Sequence, residues 1–257
     1  MLTNHTIDRL NQLGLYGMVQ ALNTQTLDSE MQSLCFEERF GLLVDQELTY
    51  RKNRRLARLL REAKLRLPAC LEDIDFSHPR GLNRSVIRSL ATGEWIQNHQ
   101  NIAIVGPTGV GKTYLACGFA NLACRNGCSA RYFRVPRLCS ELAIARGDGS
   151  YQRFLNKISK IELLVLDDWG LAPLSPDECR DLLELLDDRF QFRSTVIASQ
   201  LPIDHWHGMM ADPTVADAIL DRVIHNSHKI VLKGESMRKI NSGLPLDSGS
   251  DKLEPSE

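Results

Sequence analysis

The stretch GPTGVGKT, residues 106–113, decides how this 257-residue chain is read. It has the pattern G-x-x-x-x-G-K-[ST]. It stands between the apolar run NIAIV at 101–105 and a segment of helical periodicity, the strand–loop–helix setting that a phosphate-cradling loop needs. Glycines let backbone N–H groups come close to an anionic oxygen, and the helix that follows turns its positive dipole end toward the same oxygens. The predicted binding loop is therefore Gly106, Pro107, Thr108, Gly109, Val110, Gly111, Lys112 and Thr113. In such a loop Lys112 reaches the β and γ phosphates, and the Thr113 hydroxyl sits on a magnesium ion.

Outward from the loop, apolar runs of strand type alternate with helical ones: IAIV, 114–124, ARYFRV, 136–145, ELLVL, 176–192, STVIAS, and IVL at 230–232. That alternation specifies an α/β fold with a parallel sheet flanked by helices. Local chemistry agrees. Gly127 stops the helix after the loop, and Ser175, Pro176, Asp177 and Glu178 form a capping box with proline at the first helical position. Residues 1–67 carry helical periodicity with almost no strand signal, which predicts a small all-helical N-terminal domain. Residues 68–80 read as a linker leading into an α/β domain at 68–240, and the polar stretch 241–257 reads as disordered. About two dozen residues follow the last strand, too few for a separate C-terminal lid, so the site is expected to be closed mainly by a neighbour.

Three later motifs carry chemistry. In ELLVLDDWG a buried strand ends in two carboxylates, at the strand end where ligands sit in such sheets. Asp167 is the predicted magnesium partner, and Asp168 the group that orients and polarises water. The strand STVIAS ends in Ser199 and Gln200, polar groups placed for the γ phosphate or the water, with simple strand-end polarity as the alternative. In the amphipathic segment AILDRVIH, Arg222 is placed either to reach a neighbouring subunit's nucleotide or to form a surface ion pair with a local carboxylate.

Taken together, GPTGVGKTYLA, LLVLDDWG, STVIASQLP, AILDRVIH and the late GESMR resemble the IstB helper ATPases of bacterial insertion sequences, relatives of the helicase loader DnaC in the AAA+ initiator clade. The resemblance runs from the N-terminal helices to about residue 240. It implies an AAA+ ATPase that uses ATP and Mg2+, forms a homo-oligomer through its ATP sites, assembles on DNA and directs a transposase. It gives Arg222 the trans-acting finger role, Arg238 that of a second sensor, and Ser199 with Gln200 the first sensor. One departure is that AAA+ proteins at large carry Glu where this chain has Asp168, a shorter arm for activating water.

Residues 51–66, RKNRRLARLLREAKLR, hold eight basic side chains and one acidic one. At helical spacing Leu56, Leu59, Leu60 and Ala63 share an arc, while Arg51, Arg54, Arg55, Arg58, Arg61 and Arg66 cover the opposite side. Arg51, Lys52, Arg54, Arg55, Arg58 and Arg61 are the predicted contacts to the backbone of double-stranded DNA, with a solvated helix face as the alternative. Overall charge is only −1, so the attraction must come from this local cluster. The seven cysteines include no C-x-x-C pair and read as reduced, buried small side chains, with a metal site at Cys124 and Cys128 set aside. No bilayer-spanning run or secretory signal is evident, so a cytoplasmic protein without a membrane partner is expected. A DnaC-like helicase loader would share this chemistry. A P-loop kinase acting on a small molecule would leave Arg222 and the basic run without a role. Adenine contacts are expected near Phe76.

Overall fold

The computed structural model describes residues 2–28 and 31–237; Arg238 and the 241–257 tail lie outside the described residues. The chain divides into two compact units, Met1–Ala63 and Lys64–Glu257.

The first unit contains three α-helices among the described residues: α1 (Leu2–Gln12), α2 (Tyr16–Leu27) and α3 (Phe36–Ala63). The contact of α2 with α3 is set by Glu47, whose buried carboxylate accepts the Gly17 N–H at 2.7 Å and the Met18 N–H at 3.1 Å. Those N–H groups belong to the first turn of α2 and have no partner within their own helix, so an anion from α3 caps them. Gly17 allows the approach, because a Cβ there would stand 2.6 Å from the Glu47 Cα. The basic run differs from its sequence reading in one respect. Helix α3 ends at Ala63 and Lys64 takes a left-handed backbone (φ 48°), so Arg66 does not continue the helical face on which the periodicity placed it.

The second unit contains helices α4 (Arg84–Leu90), α5 (Glu94–Gln97), α6 (Lys112–Arg125), α7 (Val135–Gly147), α8 (Tyr151–Ser159), α9 (Pro176–Arg189) and α10 (Pro213–Ile224). Its strands are β1 (Asn101–Val105), β2 (Ala130–Arg134), β3 (Leu163–Trp169), β4 (Ser194–Ser199) and β5 (Ser227–Val231). All four pairings are parallel, in the order β2-β3-β4-β1-β5. Strands β1, β3 and β4 are buried on both faces, which their unbroken apolar runs require. One side of the sheet is filled by Phe133, Leu138, Leu155, Leu166, Leu182 and Ile219, with Trp169 against Trp206. The Ser175–Glu178 capping box is present with both reciprocal bonds.

The opposite ends of the sheet have different chemistry. At the strand starts, the buried Arg189 donates to the carbonyls of Ile158, Ile161 and Ser194, and burial pushes its pKa down to about 9, with Arg193 adding to the shift. At the strand ends, Gly106 N–H bonds to Ser199 O at 3.2 Å, so the loop after β1 and the end of β4 meet. Order β4-β1-β5 places β1 inside the sheet, and its loop therefore opens between flanking strands where ligands enter such folds.

Candidate functional site

The loop after β1 has Gly109 and Gly111 at φ 86° and 102°, in the left-handed region that favours glycine. Both are also tightly covered: a Cβ at Gly111 would lie 2.8 Å from the Arg80 guanidinium, and one at Gly109 would collide with Ser236. Arg80 spans from the Asp75 carbonyl (2.6 Å) to the Val110 carbonyl (3.3 Å), and Met237 N–H bonds to Gly109 O at 3.0 Å. The loop is thus strapped by the segment before β1 and by the one after β5. Arg238 follows directly on that second strap, outside the described residues. Lys112 opens α6 and curls its ammonium onto Pro107 O at 2.7 Å, inside the mouth of the loop.

Asp167 is the centre of the polar network. It is 1 % exposed, and its Oδ2 accepts from the Thr113 hydroxyl at 2.8 Å and from the Tyr132 hydroxyl at 2.7 Å, while Oδ1 accepts the Asp168 N–H at 2.9 Å. A hydroxyl and a carboxylate brought together beside a phosphate loop are hard oxygen donors of the kind magnesium takes, so Thr113 and Asp167 fit that ion. Asp168 has a left-handed backbone (φ 59°) where the β3–β4 register shifts between Leu166 and Trp169. A non-glycine residue held there costs about 1–3 kcal/mol. The turn carries its carboxylate away from the strand line, onto Arg134 Nε at 2.5 Å.

Gln200 is brought to the loop, its Oε1 accepting from the Thr108 hydroxyl at 2.7 Å. Ser199 meets the loop through its backbone carbonyl alone: its side chain is fully buried, donates to Trp169 O at 2.7 Å and accepts the Leu201 N–H at 3.1 Å, so the hydroxyl is engaged within the fold. Arg222 lies far from the loop of its own chain. The carbonyls of Arg222 and Val223 accept from the side chain of Asn101, the first residue of β1, whereas the phosphate loop follows the last residue of that strand. Five strand residues separate the two ends by about 13 Å. The Arg222 guanidinium pairs with Asp187 at 2.5 Å and with Ala218 O at 2.9 Å.

A cleft of about 780 Å3 runs beside the loop, walled by Arg66, Asp73, Ile74, Asp75, Lys112 and Thr113 among others. Its size suits a nucleotide. Ile74 and its neighbours line it, whereas Phe76 lies under the Arg84 guanidinium, 5.3 Å from the ring centre. In the N-terminal unit, Arg51, Arg54, Arg55, Arg58 and Arg61 border one shallow concavity of about 560 Å3, and Lys52 is exposed beside them. Arg51 is partly committed, its Nε 2.7 Å from Glu47. Among the described residues no group of three His, Cys, Asp or Glu is placed to hold a metal, and no helix is long and apolar enough to cross a membrane.

Sequence reasoning missed Tyr132, Arg134 and Arg66 as neighbours of the carboxylates. The signal available for the first two was the strand ARYFRV, which carries both residues and pairs with β3 along its length; Arg134 lies opposite Asp167 in the register.

Comparison with known proteins adds the family. The family model of the IstB-like ATP binding protein matches residues 8–244. The chain belongs to this family. The insertion sequence ATP-binding protein y4pL of Sinorhizobium fredii, described as putative, is 49 % identical over 239 residues, covering 93 % of this chain and 98 % of that protein. The IS1162 ATP-binding protein of Pseudomonas fluorescens, also described as putative, is 50 % identical over 203 residues, 79 % of this chain and 88 % of its own length. Among solved structures, the DnaC helicase loader superposes with a TM-score of 0.52 at 24 % identity, over 66 % of this chain and all of that one. The fold is therefore that of a P-loop AAA+ ATPase, and the IstB-like assignment expected from the motifs holds.

Two substitutions separate binding from turnover at this site. Lys112→Ala is expected to abolish ATP binding in a titration with magnesium, because the loop would lose the charge placed for the β and γ phosphates. Asp168→Asn is expected to bind ATP with near wild-type affinity and to hydrolyse it about 10²-fold or more slowly, the usual scale for loss of a general base. Equal affinity for wild type and Lys112→Ala would contradict the loop's role.

Proposed function

We propose that this IstB-like chain is an ATP-driven helper of transposition that assembles as a homo-oligomer on duplex DNA and brings a transposase to it. Each ATP site would be completed by Arg222 of a neighbouring copy. The observation that carries this reading is the separation just described: the loop, Thr113, Asp167 and Asp168 occupy one end of the sheet, and Arg222 is bonded at the other end of β1. An arginine so placed cannot serve its own phosphates, which supports a role toward those of a neighbouring copy.

Within the site, Lys112 binds the β and γ phosphates and the loop N–H groups cradle their oxygens. Thr113 and Asp167 would hold magnesium, which when bound supplies charge neutralisation to the phosphate oxygens. Asp168 orients water and accepts its proton, with Arg134 fixing the carboxylate. Gln200, held by Thr108, faces the γ-phosphate side. Ser199 has no part in this scheme, and Arg238 is kept as a second sensor because the strap at Met237 already touches the loop. Insertion-sequence relatives of nearly half-identical sequence support the transposition context. The arginine row on α3 supports duplex backbone as the nucleic-acid contact, since no aromatic side chain lies between its members for stacking on single strands.

Mixing variants tests the trans arrangement. Arg222→Ala keeps ATP affinity and loses about 10³ to 10⁵ in turnover, the usual worth of such a finger. Adding Lys112→Ala, itself inactive, restores part of the hydrolysis because each variant supplies what the other's site lacks. No restoration in oligomers proven to be mixed would rule the arrangement out.

The α3 row is tested by salt. DNA affinity falls with salt with a log–log slope of roughly 0.9 for each phosphate neutralised. Reversing Arg54, Arg55 and Arg58 to Glu flattens that slope and weakens binding to all duplex sequences alike, with ATP affinity intact. An unchanged slope would show that α3 is only a solvated face.

A further inference from the structure

Arg66 is the last basic residue of the run that the sequence assigns to a DNA-facing helix, yet it stands in the wall of the nucleotide cleft. Three features put it there. The left-handed Lys64 ends α3. The backbone N–H groups of Arg66 and Leu67 then reach the Cys117 thiol on α6, one helical turn beyond Thr113 and on the same face. Four residues later Leu71 packs on Gly118, where a Cβ would come within 2.8 Å of it. The segment 66–71 is thereby fastened along α6, and the Arg66 guanidinium bonds to the Tyr132 hydroxyl. Tyr132 in turn donates to Asp167 Oδ2, the oxygen that Thr113 also holds.

We propose that Arg66 and Tyr132 are positioning residues for the metal-binding carboxylate: Arg66 orients and polarises the Tyr132 hydroxyl, and Tyr132 keeps Asp167 Oδ2 in place when Thr113 turns from Asp167 to the metal. This deepens the site described above and rests on Asp167 serving magnesium. The physical need is specific. Asp167 is almost wholly buried, so an oxygen that loses one of its two donors must keep the other or stand unsatisfied in a dry environment. Tyr132 is the donor that does not have to leave. It sits on the strand β2, paired to β3 in fixed register, and its hydroxyl stands 2.7 Å from Asp167 Oδ2. Arg66, whose own pKa is raised by the bond to Tyr132, supplies positive charge beside the two carboxylates without occupying a metal ligand position. Nucleotide-site arginines are usually sought in the finger and sensor motifs. This one is found only because the helix before it stops early.

The experiment measures the Mg2+ concentration needed for half-maximal binding of a non-hydrolysable ATP analogue, beside the affinity of the same analogue in EDTA. Tyr132→Phe, which keeps the buried ring, raises the Mg2+ requirement about 3- to 10-fold and leaves the EDTA affinity unchanged. Arg66→Ala, in an exposed position that folding does not need, shifts it in the same direction by less, and has no further effect on top of Tyr132→Phe. If instead Arg66→Ala weakens binding equally with and without Mg2+ while Tyr132→Phe is silent, Arg66 touches phosphate directly and the relay is wrong. Asp167→Asn separates this failure from that of the underlying reading. If it shifts the Mg2+ requirement and Tyr132→Phe does not, only the relay falls; if neither shifts it, the metal role of Asp167 falls with it.

Discussion

A carboxylate buried at the end of a strand must find donors or unfold its surroundings, and Asp167 finds three on three different elements: Thr113 on α6, Tyr132 on β2 and the backbone of Asp168. Each bond fixes one relation in the α/β unit. The first joins the phosphate loop to β3, the second sets how the edge strand β2 presents its last residues, and the third accompanies the left-handed turn that sends Asp168 aside to Arg134. A hydrogen bond to a charged group contributes about 1.5–3 kcal/mol net, and an unpaired buried charge costs more than any one of them returns. The geometry of the proposed metal site and the stability of the fold therefore depend on the same atoms.

The sheet has a corresponding polarity. Its strand-end side gathers anion-binding groups and carboxylates. Its strand-start side is built from Asn101, which caps the last turn of α10 and accepts the Thr195 N–H, and from Arg189, which donates to carbonyls at 158–161 and to that of Ser194. The Asn101 bonds tie the last turn of α10 to the start of β1, whereas the Arg222 guanidinium is paired with the exposed Asp187, an ion pair that contributes little. A backbone tied to the sheet with a weakly paired tip fits the proposed exchange of one anionic partner for another.

Much of this was legible in the sequence because it is local. The loop, the paired carboxylates at a strand end and the Ser175–Glu178 box are each contained in fewer than ten residues, and the strand–helix alternation fixed a parallel sheet. What was not legible depends on pairing between distant segments. Tyr132 and Arg134 become neighbours of Asp167 and Asp168 only through the β2–β3 register. Ser199 ends a strand, and the family resemblance implies a sensor role for it, but the bulge in β3 places the Trp169 carbonyl where it captures the hydroxyl. Arg66 was misplaced because no glycine or proline marks the end of α3; Lys64 makes the left-handed turn that glycine usually makes, and the periodicity runs past it unbroken.

The central claim is that one chain holds a nucleotide site it cannot complete. It is tested most directly by the ATP turnover per subunit as a function of protein concentration, with sedimentation run on the same samples. The account predicts turnover per subunit that rises with concentration and levels off where ATP-bound protein sediments as an oligomer. Constant turnover per subunit, down to concentrations at which only monomer sediments, would contradict it.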